Sequence, residues 1–172
     1  MTSTETTLPL THSFGLDRAR SQLRRITTAA QPGVLLALRL VFGYGLFRAG
    51  LGKLQHLDQV AGFFASLGLP AAQLNAALVA GFELVGGGLL LVGLATRVIT
   101  LPLLVILSMA MLTAHRAELG VFITDPGTFI SAAPVPFIAA LVALLGFGPG
   151  KLSVDALLRR QGDRHSEPPA AA

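Results

Sequence analysis

Apolar residues along this chain fall into four long blocks separated by short polar intervals. The first, residues 33–54, has 22 residues. At 1.5 Å of rise each that gives about 33 Å, enough to cross the hydrocarbon core of a bilayer. Further spans are predicted over residues 71–94, 98–114 and 128–147. Pro32 suits the opening position of the first helix, where a missing N–H costs nothing. The turn Ala95–Arg97 is so short that the second and third spans must be antiparallel neighbours. Pro102 is expected to kink the third, with Ser108 and Thr113 available to satisfy freed backbone groups. Pro134 and Pro136 interrupt the fourth, and Asp125-Pro126-Gly127 before it signals a turn.

The flanks carry a different pattern. Residues 1–12 are rich in Thr and Ser and are expected to be disordered. From Phe14 to Ala30, Leu16, Ala19, Leu23, Ile26 and Ala30 recur at helical spacing, with arginines on the other faces. That is the signature of a basic amphipathic helix lying in the headgroup layer. Residues 1–32 are therefore read as an N-terminal arm and 33–160 as the membrane domain. Residues 62–70 are too short to span and predict a re-entrant or interfacial hairpin. Lys151–Arg160 predicts a short amphipathic exit helix, and 161–172 a disordered tail.

Composition agrees with the pattern. Only 13% of residues are charged, 52% are hydrophobic, and mean hydropathy is +0.67. Soluble domains carry about 25% charged residues, so this chain has too few to solvate a globular surface. Counting Lys and Arg sets an orientation. Arg18, Arg20, Arg24, Arg25, Arg97, Lys151, Arg159, Arg160 and Arg164 fall on one side of the predicted spans, and Lys53 and Arg116 on the other. The positive-inside rule then places both termini in the cytoplasm and the protein in the cell (inner) membrane, its charge facing lipid rather than nucleic acid. The predicted fold class is an all-α, antiparallel four-transmembrane-helix bundle with short interfacial helices at both ends.

The chain has no cysteine, so it cannot itself be a dithiol carrier or hold a thiolate metal site. Phosphate-binding, nucleophile-elbow and paired-acid motifs are missing, as are histidines inside a span that could hold haem. His115, with His56 and Asp58 on the same side, falls short of a metal-ligand set, and no metal is expected.

The chemistry that remains lies inside the spans. Glu83 stands at mid-depth of the second, where an ionised side chain costs about 2.5–3.5 kcal/mol on insertion scales and needs a partner or a task. Arg39 and Arg48 lie about 7 Å either side of the midpoint of span one. Each is long enough to reach Glu83. Arg39 and Lys53 share one helix face and Arg48 takes roughly the opposite one. Glu83, Arg39, Arg48 and Lys53 are thus the candidates for a ligand or proton site, against the simpler reading of a structural ion pair. Gly81, Gly86, Gly87, Gly88 and Gly93 read as helix-packing positions, and Arg97 as an interface anchor.

Several stretches in a fixed order carry a family resemblance. They are Leu38-Arg39-Leu40, Ala49-Gly50-Leu51-Gly52-Lys53, the run from Phe63 to Pro70, Glu83, Gly86-Gly87, Leu94-Ala95-Thr96-Arg97, and the run from Gly148 to Asp155. From Val34 to Asp155 the chain resembles the DoxX family of small four-helix membrane proteins. The resemblance implies a membrane subunit or scaffold of a redox system, quinone- or thiol/sulfur-linked, with quinone as the implied cofactor and a soluble redox subunit as partner. Catalysis, if any, would belong to a membrane oxidoreductase complex. A proton-coupled or small-molecule carrier, which would need a homodimer, and a structural or biogenesis factor without ligand are the alternatives.

Overall fold

The computed structural model describes residues 13–165, with side chains from Thr28 to Gln161 and at Gln22. Eight helices follow one another among the described residues: α1 Ser13–Gln55, α2 Leu57–Ser66, α3 Ala72–Val92, α4 Thr96–Thr113, α5 Arg116–Gly120, α6 Pro126–Ser131, α7 Pro134–Phe147 and α8 Val154–His165. Among the described residues there is no strand. Three helical stretches among the described residues are long and apolar enough to cross a membrane: Thr28–Gln55, Ala72–Val92 and Thr96–Thr113.

Helix α3 is the centre of the packing, with α1, α2 and α4 against it, while α7 packs on α4 and α1. The core is a leucine cluster drawn from four helices: Leu35 and Leu46, Leu90, Leu103 and Leu107, Leu141 and Leu144. Side chains on the outward faces, among them Val41, Val85, Val98 and Val105, are large, apolar and exposed. In water such faces would be a liability, but against lipid tails they are at home.

The α3–α4 turn is built by backbone conformation. Gly93 (φ 72°) ends α3 in the left-handed region, and its N–H and that of Leu94 return to the carbonyls of Leu89 and Leu90. Ala95 follows at φ 49°, a conformation that costs a non-glycine residue free energy. Asp155, from the start of α8, accepts from the N–H groups of Ala95 and Thr96 at 2.8 and 3.1 Å. A carboxylate 60 residues downstream thus caps α4, which it also favours through the helix dipole.

Four expectations need correction. Pro32 does not open a helix: α1 runs through it from Ser13, so the N-terminal arm and first span are one continuous helix. A proline removes one N–H, and a single missing bond is not enough to end a helix anchored by packing on its downstream side. Residues 57–66 form a helix, not a hairpin; Gly68 (φ 75°) and Pro70 terminate it afterwards. The fourth apolar block is split at Ala132–Ala133 into α6 and α7. Helix α7 alone has 14 residues, about 21 Å, short of a full crossing. The exit helix α8 continues through His165, past the expected limit at 160. The segments 1–12 and 166–172, expected to be disordered, lie outside the described residues.

Candidate functional site

Close contact between α1 and α3 sets the register that decides which polar groups meet. Gly50 lies directly against the backbone of Ala80 and Leu84. Seven residues earlier, Gly43 lies against Gly87 and Leu90, 3.1 and 3.2 Å from where a Cβ would stand. Gly87 in turn abuts the backbone of Phe47. Three missing side chains let two helices approach backbone to backbone, a packing that van der Waals contact rewards inside a bilayer. Gly86 does the same toward α4, receiving Leu103 and Ile99. Gly81 has nothing within 4 Å and Gly88 only a marginal contact with Phe47, so these two do not pack as expected. Gly43 and Gly50 were missed as packing positions; their seven-residue spacing, two helical turns on one face, was the available signal.

That register brings Glu83 to Lys53. The Lys53 ammonium donates to Glu83 Oε2 at 2.5 Å. Glu83 is 4% exposed, and the Lys53 side chain is 29% exposed. Neither arginine reaches the acid. Four residues before Gly43, Arg39 arrives at Gly93, where its guanidinium fills the space a side chain would take. Gly93 is ten residues beyond Glu83, about 15 Å along α3. Arg39 is fully buried (1% exposed), and it donates to the carbonyls of Pro149 and Leu152 at 2.8 and 2.5 Å. It therefore ties the exit segment to the bundle. Its Nε is a buried donor without a partner. Arg48 lies exposed on the opposite face of α1, as the helical spacing predicts.

The Lys53–Glu83 pair forms part of the wall of a cavity of about 450 Å³. Most of the remaining wall is apolar, with Phe63 and Phe64 of α2, Leu107 of α4 and Phe137 of α7 among it. Thr113 and His115 line it at the end of α4. His115 Nδ1 stands 3.4 Å from Glu118 Oε1. The Glu118 carboxyl is held below its ordinary value, chiefly by its own backbone N–H and further by His115. Among the described residues no three His, Cys, Asp or Glu gather to hold a metal.

What this arrangement can do follows from its donors and acceptors. An ammonium has three donors, of which one goes to Glu83. A cavity with apolar walls and one convergent charged pair suits a flat, largely apolar molecule carrying a few oxygens. The α2 helix, read from sequence as a hairpin, supplies the two phenylalanines. Arg97, expected at the membrane interface, is exposed in the first turn of α4, at the other end of the bundle from Lys53.

A family model described as DoxX matches residues 34–116, from the middle of α1 to the start of α5. An uncharacterized membrane protein of Mycobacterium tuberculosis is 33% identical over 144 residues, covering 80% of this chain and 88% of that one. A Bacillus subtilis protein named "Putative oxidoreductase CatD" is 42% identical over 64 residues, covering 37% of this chain and 46% of that one. An uncharacterized protein of Haemophilus influenzae is 31% identical over 130 residues, covering 73% and 83%. No solved structure matches.

Proposed function

This chain belongs to the DoxX family, and on that footing we propose that it is a membrane subunit of a redox system whose cavity takes a quinone-like headgroup. The observation that carries the reading is the charged pair Lys53–Glu83 in the wall of an otherwise apolar cavity of about 450 Å³. A quinone ring offers carbonyl oxygens that accept from an ammonium, and the reduced ring offers hydroxyls that donate to a carboxylate. Lys53 and Glu83 supply one partner for each form. Phe63, Phe64 and Phe137 supply flat apolar surface for the ring, where aromatic contacts add about 0.5–1.5 kcal/mol beyond area burial. Electrons reach the site from a soluble redox partner on the membrane, since the chain has no thiol of its own. The name of the Bacillus subtilis relative points the same way.

In this reading α6 and α7 together complete a fourth crossing, and both termini face the cytoplasm at the inner membrane. Charge supports that orientation. Arg97, Lys151 and the turn of α1 at Thr28 come together at one end, whereas Lys53 and His115 line the cavity near the other.

The test is a binding titration of short-chain ubiquinone and menaquinone against the detergent-purified protein, with thermal unfolding measured in parallel. Lys53→Gln and Glu83→Gln are expected to raise Kd at least ten-fold, and Arg48→Gln, on the outward face, to leave it unchanged. Undiminished binding in both variants together with a lowered Tm would sink the proposal and make the pair a structural lock between α1 and α3.

A further inference from the structure

At the end of the bundle away from Lys53 and Glu83 lies a second cavity, about 270 Å³ in volume. It is formed where three parts of the chain meet: α1 around Pro32, the first turn of α4, and the exit segment with α8. Three cationic side chains line it, Arg97, Lys151 and Arg159, and among the described residues no carboxylate does. All three are exposed. The ion pairs among the described side chains, Lys53–Glu83 and His115–Glu118, involve none of them. Asp155, an acid within reach along the chain, is engaged elsewhere, capping Ala95 and Thr96.

Two features make this more than a charged surface. The Arg97 guanidinium is packed over Gly148, 3.3–3.6 Å from where a Cβ would stand, so the absence of a side chain there positions the cation. Gly148 and Gly150 both have φ 78°, and the exit segment rests with Gly150 against Leu35 of α1, both in the cavity lining. Pro32, Leu35 and Phe147 are apolar residues in that lining. Three like charges facing one cavity repel each other until an anion enters, and guanidinium forks match the oxygens of a phosphate. The level is that of a membrane face, because the apolar span of α4 begins at Thr96, next to Arg97. The anions concentrated at such a level are phospholipid headgroups. Phe147, Leu157 and Leu158 are exposed close by in the chain, apolar surface suited to acyl chains.

We infer that this cavity is a binding site for the phosphate group of an acidic phospholipid, gripped by Arg97 and Arg159 with Lys151 as a third charge. The site is separate from the quinone reading and stands or falls without it. Native mass spectrometry of the full chain in mild detergent, with phosphatidylglycerol or phosphatidylcholine added, tests it. The wild type is expected to retain phosphatidylglycerol at least ten-fold more than phosphatidylcholine. Arg97→Gln with Arg159→Gln brings that ratio close to one, and Arg116→Gln, at the other end, leaves it unchanged. Arg159→Gln alone, on the exposed face of α8, is the gentler variant and lowers the ratio several-fold with the fold intact. Equal retention of the two lipids, or a preference that survives the double variant, overturns the inference. Displacement of phosphatidylglycerol by millimolar inorganic phosphate would overturn the lipid assignment and make the cavity a soluble-phosphate site.

Discussion

Arg39 and Lys53 sit on the same face of α1, fourteen residues apart, and the fold treats them in opposite ways. Arg39 is sealed: 1% exposed, bonded to two backbone carbonyls of the exit segment, and packed into the space left by Gly93. Lys53 has one carboxylate partner and a cavity beside it. A buried cation whose donors go to backbone carbonyls is a fastener, because nothing that enters later can compete for it. A cation paired with one carboxylate at a cavity wall keeps donors for a visitor. The same residue class on one helix face thus makes a structural end and, on the proposed function, a chemical end, and the partners rather than the charge decide which is which.

The comparison depends on the α1–α3 register, so the largest effect should come from breaking it. Gly50→Val and Gly87→Val each force a side chain into facing backbone. Each is expected to cost at least about 3 kcal/mol, the upper end for overpacking, and to scatter both ends at once. Thermal unfolding in detergent checks this, with Gly81→Ala as the control. Nothing stands within 4 Å of that position, so the control should hold or gain about 0.5–1 kcal/mol from helix propensity.

A middle-sized effect separates the two ends. Arg39→Gln should lose about 1.5–3 kcal/mol: hydrogen bonds from a charged donor contribute about 1.5–3 each, and the glutamine amide can keep one of the two. It should also expose the segment 148–153 to limited proteolysis while leaving quinone titration unaltered. Lys53→Gln should do the reverse. If Arg39→Gln weakens quinone binding as strongly as Lys53→Gln, the division between structural and chemical ends fails.

The smallest effect lies outside the spans. Asp125 caps α6, accepting from the Thr128 N–H and hydroxyl at 3.2 and 2.7 Å. These bonds, the hydroxyl first, hold its carboxyl below the ordinary value. A depressed carboxylate contributes stability above its unfolded value and loses it as pH falls through the folded one. Asp125→Ala should therefore lower Tm slightly at pH 7, and the gap should close only as pH drops below the ordinary carboxylate range. A gap that is the same at all pH values would show that the ionised cap contributes nothing.

Much of the architecture was legible because hydrophobic length is a local property. The expected spans 71–94 and 98–114 became α3, 72–92, and α4, 96–113, and the first ended within a residue of Gln55. A run of apolar residues must be helical in lipid whatever its neighbours do, since no other partner exists for its backbone. Helix-face arithmetic was equally reliable, separating Arg48 from Arg39 and Lys53. The breaks were less legible. Pro32 looked like a start and lies inside α1, and the split at Ala132–Ala133 shortens α7.

Only the tertiary structure could name the partners. Taken one helix at a time, Arg39 and Arg48 are both within reach of Glu83, because a single helix specifies only depth. Depth across two helices is set by register, and register here is set by Gly43, Gly50 and Gly87, whose backbones touch. That contact moves Arg39 about 15 Å from Glu83 and brings Lys53 to it. The carbonyls that satisfy Arg39 come from residues 149 and 152, more than a hundred positions away. The sequence determined that this chain is a set of membrane-length helices carrying a few internal charges, because burial of apolar length is decided residue by residue. Which charge is fastened and which is left beside a cavity was decided by tertiary packing, because a hydrogen bond needs its partner within about 3 Å and only the docked helices supply that distance.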